Sequence, residues 1–188
     1  TIGGRKTGSD NSYIQYELIA GGGGARSGKD GDSGTSVNHL NSKIAPVEII
    51  ESEFPVRLLH YDLIKESFGA GRYRGGLGIL REYLMLEDAR LSLRSSKHLI
   101  PPSGIDGGNP GRPGMVFVNP GTETEQKLPT RCEHPLKKGD ILGIERTGGG
   151  GFGNALEREP TKVLHDVEDG YLSIEKALKG LYSEKLRK

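Results

Sequence analysis

Asp30, His39, Arg72 and Arg74 are the residues whose types and neighbourhoods could do chemistry. His39 stands in "SVNHLNSKIAPVE", with Asn38, Asn41 and Glu48 around it and Asp30 and Asp32 just upstream. This is the densest polar cluster in the chain. It could supply a base and carboxylates, although polar, glycine-rich stretches commonly form solvated loops. Arg72 and Arg74 flank Tyr73 in "GAGRYRGGLG". Residues two apart in an extended segment point the same way. Both guanidinium groups are therefore expected on one side, with Tyr73 turned to the core. Their planar forks would suit a carboxylate or an anionic intermediate. The competing reading is a β-corner in which glycines let strands cross closely, with the arginines paired to the glutamates of "VEIIESE". These four residues are the catalytic candidates. Ser95 and Ser96 would need a base within hydrogen-bond reach. No G-x-S-x-G elbow is present, so serine chemistry is not assigned.

The glycine runs invite a phosphate reading, which their context opposes. "GGGGFG" at 148–153 matches G-x-G-x-x-G after a strand, with Glu168 and Asp169 further on. The dinucleotide fingerprint needs a helix to open directly after the loop, but "NALEREP" follows. Gly23, Gly28 and Lys29 match the first part of a Walker A loop. Asp30 then stands where Ser or Thr should hold magnesium, and no helix signal follows. "KDGDSG" resembles a calcium loop, yet Thr35 and Asn41 occupy the positions that require Gly and Glu. The run at 148–153 is instead expected to be a corner packing the last strand against the end of the chain, with some glycines at positive φ. The five histidines show no metal-ligand spacing, and Cys132 and His134 have nothing nearby to complete four ligands. No cofactor or metal site is assigned.

These residues must be positioned by a chain of 188 residues with net charge +1, 33% hydrophobic residues and 30 glycines. The glycines have no collagen-like period. Interspersed charges of both signs argue against a nucleic-acid or anionic-membrane surface. No apolar run is long enough to span a membrane. A single cysteine favours an intracellular, cytoplasmic setting. The chain opens on Thr1 without Met, so a longer polypeptide is expected.

Strand signals dominate. "SYIQYELIA" alternates, which would put Ile14, Tyr16 and Leu18 on the buried face. "PVEIIESEFPVRLLHYDLI" reads as two strands broken at Pro55, with Leu59, Tyr61 and Leu63 sharing a face. "LGILREYLML", "ARLSLRS", "GMVFVNPG" and "KKGDILGIERT" read as further strands, the last after a turn at Gly139-Asp140. Helices are expected only late. One runs over "TKVLHDVEDG", from Thr161 to a stop at Gly170. A second starts at a Ser173 N-cap, with Ile174, Ala177, Leu178, Leu181, Tyr182 and Leu186 on one stripe. The fold is therefore mainly β: antiparallel sheets, sandwich or barrel-like, with a short helical C-terminal tail. The expected division is a glycine-rich β domain over 1–160 and a helical tail over 161–188.

Four stretches taken in order resemble one family: "YELIAGGGGARSGKDGDSG", "NSKIAPVEIIESEFPVRLLHYDL", "GAGRYRGGLGILRE" and "LKKGDILGIERTGGGGFGNALEREPTKVLHDVEDGYLSIEKAL". The chain resembles the C-terminal part of the hydantoinase B/5-oxoprolinase family. That family includes the B-type subunit of ATP-dependent N-methylhydantoinase and the related large subunits of acetone and acetophenone carboxylases. The resemblance implies a share in ATP-dependent hydrolysis of a cyclic amide of hydantoin or 5-oxoproline type. An A-type subunit or fused domain would activate the carbonyl by phosphorylation, in a hetero-oligomer that also contains the upstream part of the B-type chain. ATP and a divalent metal are implied for the full complex, with the metal ligands upstream. Two alternatives stand beside this: a non-catalytic scaffold that docks the A-type subunit, and part of an acetone-carboxylase-like carboxylase. Family members often carry an aromatic where this chain has Gly23.

Overall fold

A computed structural model describes residues 1–6, 8, 11–35, 44–179 and 182. His39 and its neighbours Asn38 and Asn41 lie outside the described residues. The chain is mainly β. It forms β1 (Ile2–Arg5), β2 (Ser12–Gln15), β3 (Val56–Leu63), β4 (Ile79–Met85), β5 (Ala89–Arg94), β6 (Met115–Val118), β7 (Gln126–Lys127), β8 (Arg131–Leu136) and β9 (Ile141–Glu145). Helix α1 is Val47–Glu53, α2 is Pro160–Glu168 and α3 is Ile174–Lys179. The strands make two antiparallel sheets, ordered β2-β1-β5-β8 and β3-β4-β9-β6-β7. Ile2, Leu91 and Leu136 from the first sheet, and Tyr83, Val116 and Leu142 from the second, share one buried core. Antiparallel sheets with one packed and one solvated face produce this alternation. It is clearest in β5, where Leu91 and Leu93 are buried and Arg90 and Arg94 are exposed.

Three sequence expectations change. In β2 the buried residues are Tyr13 and Gln15, while Ile14, Tyr16 and Leu18 are exposed. Tyr13 has a ring partner in Phe54 and Gln15 hydrogen-bonds Glu17, so the inner face was chosen by larger contacts than the Ile-Tyr-Leu row offers. Tyr61 and Leu63 share the face of their β4 partners Arg81 and Ile79 yet stay partly exposed, while a β-bulge between Leu58 and His60 takes Leu59 out of that alternation. Residues 47–53 form a helix, not a strand. Pro46 is at its N-cap, Glu48 lies in its first turn, and Ile50 alone is buried.

The end of the chain follows its cap signals. Pro160 opens α2 in the position where a missing N–H costs nothing, displacing the start expected at Thr161. Gly170, at φ +75°, ends it. Ser173 Oγ accepts from the Lys176 N–H at 3.3 Å and caps α3. Of the expected stripe, Ala177 and Tyr182 are buried, whereas Ile174 and Leu178 are exposed. Among the described residues no helix is long and apolar enough to cross a membrane.

Candidate functional site

The glycine runs form neither a phosphate loop nor a corner. They are extended segments packed backbone against backbone beside the sandwich. The run at 148–151 threads the middle, and each glycine meets a different carbonyl at the position a Cβ would take. Gly148 meets Ser67 at 1.8 Å, Gly149 meets Gly23 at 1.8 Å, Gly150 meets Ser103 at 2.0 Å and Gly151 meets Ala70 at 2.2 Å. No side chain fits such gaps, which is the reason glycine is required on a crowded axis. The pairings advance by three residues in antiparallel chains. Gly108 opposes Gly151 and Gly111 opposes Gly148, while Gly75 opposes Gly149 and Gly78 opposes Arg146. A repeat of three belongs to the polyproline II helix; a strand repeats every two. Hydrogen bonds cross between segments, among them Gly76 N–H to Gly23 O at 2.8 Å, Gly69 N–H to Gly149 O at 2.7 Å and Gly151 N–H to Asn109 O at 2.9 Å. Within 148–153 only Gly153 has positive φ, +73°. The expected corner is therefore replaced by a packed bundle, in which glycine is selected by space and not by φ.

The threefold repeat also separates Arg72 from Arg74. Arg74 turns inward and is buried, whereas the Arg72 side chain is 56% exposed. Arg74 Nε donates to Asp166 Oδ1 at 2.6 Å, and its guanidinium lies 5.0 Å from the Tyr171 ring centroid. Arg72 instead reaches Glu157 at 3.7 Å, beside a surface pocket of about 490 Å³ with Ser27, Asp106 and Phe152. Tyr73 is half-buried, tilted against Phe152 and flanked by the cations of Arg72 and Lys162. The expected common side for the two arginines rested on a repeat of two, which this segment does not follow.

Asp30 joins Arg74 through Arg158. Arg158 Nη1 and Nη2 donate to the two Asp30 oxygens at 2.8 and 3.0 Å, and Nη2 also donates to Asp166 Oδ2 at 2.8 Å. The Arg74 backbone N–H donates to Asp30 Oδ1 at 2.8 Å. Burial would push the Asp30 carboxyl up, but Arg158 and the Arg74 N–H outweigh it and hold it below the usual carboxylate range. Burial likewise works against the Arg158 guanidinium, and the two carboxylates carry its pKa above the ordinary value. The Tyr182 hydroxyl is buried without a partner among the described residues, and burial raises its pKa to about 12. This network of two cations and two carboxylates ties the 30-loop, the 72–76 segment, the turn Ala155–Glu157 with its C-cap Arg158, and α2 into one unit. Every charge in it is matched, so it presents no spare acid, base or cation. Sequence reading missed Arg158 and Asp166; their spacing across a turn and a helix start carries no signal until the bundle is known.

A second polar assembly lies between the sheets, where a cavity of about 370 Å³ opens at one end of the sandwich. Glu17, Arg81 and Tyr83 line up on one side. Arg81 Nη1 donates to Glu17 Oε1 at 2.7 Å and to Tyr83 Oη at 2.8 Å, and Tyr83 Oη donates to Glu17 Oε2 at 2.5 Å. Burial and the neighbouring carboxylate push the Tyr83 hydroxyl well up, so it stays a donor. Gln15 Nε2 donates to Glu17 Oε2 at 3.0 Å, while Gln15 Oε1 is buried with no partner. On the other side Ser95 Oγ accepts from Arg146 Nη1 at 3.1 Å and lies 2.9 Å from His98 Nε2. Burial, then the Arg146 charge, lowers the His98 pKa and so favours the neutral ring. None of Asp30, Arg72 or Arg74 lines this cavity. Among the described residues no group of three or more His, Cys, Asp or Glu side chains could hold a metal ion.

Comparison with known proteins places this architecture. The chain is 35% identical over 175 residues to a Pseudomonas protein described as the B-type subunit of a D-/L-hydantoinase, covering 90% of this chain and 29% of that protein. It is 40% identical over 178 residues to an uncharacterised Methanocaldococcus jannaschii protein, covering 94% and 30% respectively. The 5-oxoprolinase 1 of Arabidopsis thaliana is 32% identical over 147 residues, 78% of this chain and 12% of that one. The chain thus spans about a third or less of the curated relatives it matches. Its fold recurs in an ATP-dependent caprolactamase from Pseudomonas jessenii, with TM-score 0.77 at 23% identity over 97% of this chain and 33% of that one. It recurs too in a nucleotide-free acetone carboxylase, with TM-score 0.73 at 24% identity over 87% of this chain and 26% of that one. The family described as hydantoinase B/oxoprolinase matches residues 1–155, and the chain belongs to it.

Proposed function

We propose that this chain is the C-terminal β domain of a B-type subunit taking part in ATP-dependent hydrolysis of a cyclic amide of hydantoin or 5-oxoproline type. Family membership over residues 1–155, with relatives named as a B-type hydantoinase subunit and as 5-oxoprolinases, carries this reading. ATP and a divalent metal act elsewhere in the complex, and an A-type subunit or fused domain phosphorylates the ring carbonyl. Within that complex the domain holds and docks. Asp30 and Arg74 are consumed in a closed network, and Arg72 faces a separate surface, so three of the four sequence candidates do not converge on one pocket. The docking reading therefore has the better support for this part of the subunit.

The test combines the whole subunit with its A-type partner, ATP, a divalent metal and a panel of hydantoins, 5-oxoproline and acetone. Phosphate release that depends on a cyclic amide is the expected result. Release driven by acetone with bicarbonate, and not by any ring, would transfer the chain to the carboxylase branch. Arg72→Lys separates docking from catalysis. Unchanged turnover is expected, whereas a fall of about tenfold, equivalent to ~1.4 kcal/mol of transition-state stabilisation, would assign Arg72 to the active site.

A further inference from the structure

The cavity between the sheets holds two features that packing alone does not account for. Arg146, at the end of β9, points its guanidinium toward the cavity wall with no ion-pair partner among the described residues, and its Nε makes no hydrogen bond. Among the described residues its one side-chain partner is the neutral Ser95 hydroxyl. Burial lowers its pKa, and no carboxylate offsets that effect. Arg146 is half-buried, and the fully buried arginines differ from it: Arg74, Arg81 and Arg158 each face a carboxylate within 2.8 Å. A partly desolvated charge without a counter-ion carries a cost that a ligand of opposite charge relieves. Gln15 is the second feature. It is 2% exposed and lines the same cavity, with its carbonyl oxygen unpartnered. Between these polar ends the lining is apolar, from Leu91, Leu93, Val116, Leu142 and Ile144. A volume near 370 Å³ falls in the range of small-molecule sites.

We propose that this cavity binds a small organic carboxylate, with the anionic group on Arg146 and Ser95 and an apolar body against Leu91, Leu93, Val116 and Leu142. The guanidinium supplies the missing half of an ion pair through its terminal Nη groups, a geometry suited to carboxylate. His98 reinforces the site as an acceptor. In the tautomer whose Nε2 accepts from the Ser95 hydroxyl, the Ser95 oxygen is left to Arg146 and keeps the arginine aimed. Glu17 does not repel the anion as a bare carboxylate would, because Arg81, Tyr83 and Gln15 all donate to it. The site stands apart from the amide-hydrolysis reading, and its occupancy does not require ATP turnover.

The experiment is calorimetry on the whole subunit with three probes: hexanoate, its neutral isostere hexanamide, and inorganic phosphate. Hexanoate is expected to bind at least about tenfold more tightly than hexanamide or phosphate, and Arg146→Gln to erase the preference over hexanamide. Comparing hexanoate with hexanamide on the unaltered protein needs no variant, so a misfolded Arg146→Gln leaves the test standing. Absence of hexanoate binding to the unaltered protein would overturn the proposal. So would equal affinity for hexanamide, phosphate binding as tight as hexanoate, or a folded Arg146→Gln protein that keeps the preference.

Discussion

Removing Arg158 would leave two carboxylates, Asp30 and Asp166, to share the single cation of Arg74 in a site where the Asp166 side chain is 5% exposed. A matched buried ion network is weak evidence of net stability, but deleting one partner of it is costly. Arg158→Gln is therefore expected to destabilise the chain by about 3–5 kcal/mol, read from denaturant unfolding. Arg72→Ala removes only an exposed pair at 3.7 Å and should cost under about 1 kcal/mol. Equal losses for the two variants would show that the Arg158 network is not the clamp described. Arg74 belongs with Arg158 and not with Arg72, although the sequence sets it two residues from the latter. Which way a side chain turns depends on the repeat of its segment, and "GAGRYRGGLG" does not reveal whether that repeat is two or three.

At the scale of elements the central question is why the bundle requires glycine. At Gly149 a Cβ would stand 1.8 Å from the Gly23 carbonyl, with backbone atoms that cannot rotate away. At Gly28 nothing lies within 4 Å, and only the φ of +83° opposes a side chain. Gly149→Ala should therefore cost upwards of about 3 kcal/mol through overpacking, and Gly28→Ala only about 1 kcal/mol through its left-handed backbone. Thermal melts of the two variants check the ranking, and a milder effect at Gly149 would contradict the packed bundle. The strands were legible where alternation is strong: "ARLSLR" and "ILREYLM" read as strands and form β5 and β4. Legibility failed where two signals competed. In "VEIIESE" the β-branched pair argued for a strand, but the glutamates and the preceding proline made a helix with one buried residue. In β2 the more apolar row faces outward, because Tyr13 and Gln15 have specific partners inside. The bundle itself left only a compositional trace. Glycine abundance was visible, but the pairing of runs more than a hundred residues apart, such as Gly23 with Gly149, was not.

The whole molecule has two cores: the sandwich interior and a second cluster in which Phe68, Ala70 and Leu77 meet Val163, Leu172, Ala177 and Tyr182. Acid should loosen them in order, because the carboxylates that clamp the chain sit mostly on the second. Glu66 accepts from the Ser173 N–H at 3.0 Å and from its hydroxyl, and pairs with Lys176 at 2.6 Å, fastening the start of α3. Burial alone would raise the Glu66 pKa; Lys176 and Ser173 together lower it to about 2 from an ordinary 4.5. A depressed folded-state pKa means that the stabilisation is fully present above the unfolded value and is lost as pH falls from about 4.5 toward 2. The lowered Asp30 pKa has the same sign, so the Arg158 clamp weakens in the same direction. The sandwich core is held mainly by apolar side chains that do not titrate, with the Glu17–Arg81 pair as its one buried ion pair among the described residues. Amide exchange measured by mass spectrometry at pH 6 and pH 3 should then show protection falling first over 160–179, while β4 and β5 stay closed. Glu66→Gln, which cannot ionise, should show much of the loss in α3 already at pH 6 and respond less to acid there. Simultaneous opening of both regions, or a Glu66→Gln protein whose α3 exchanges like the unaltered chain at pH 6, would rule out Glu66 as the fastening point.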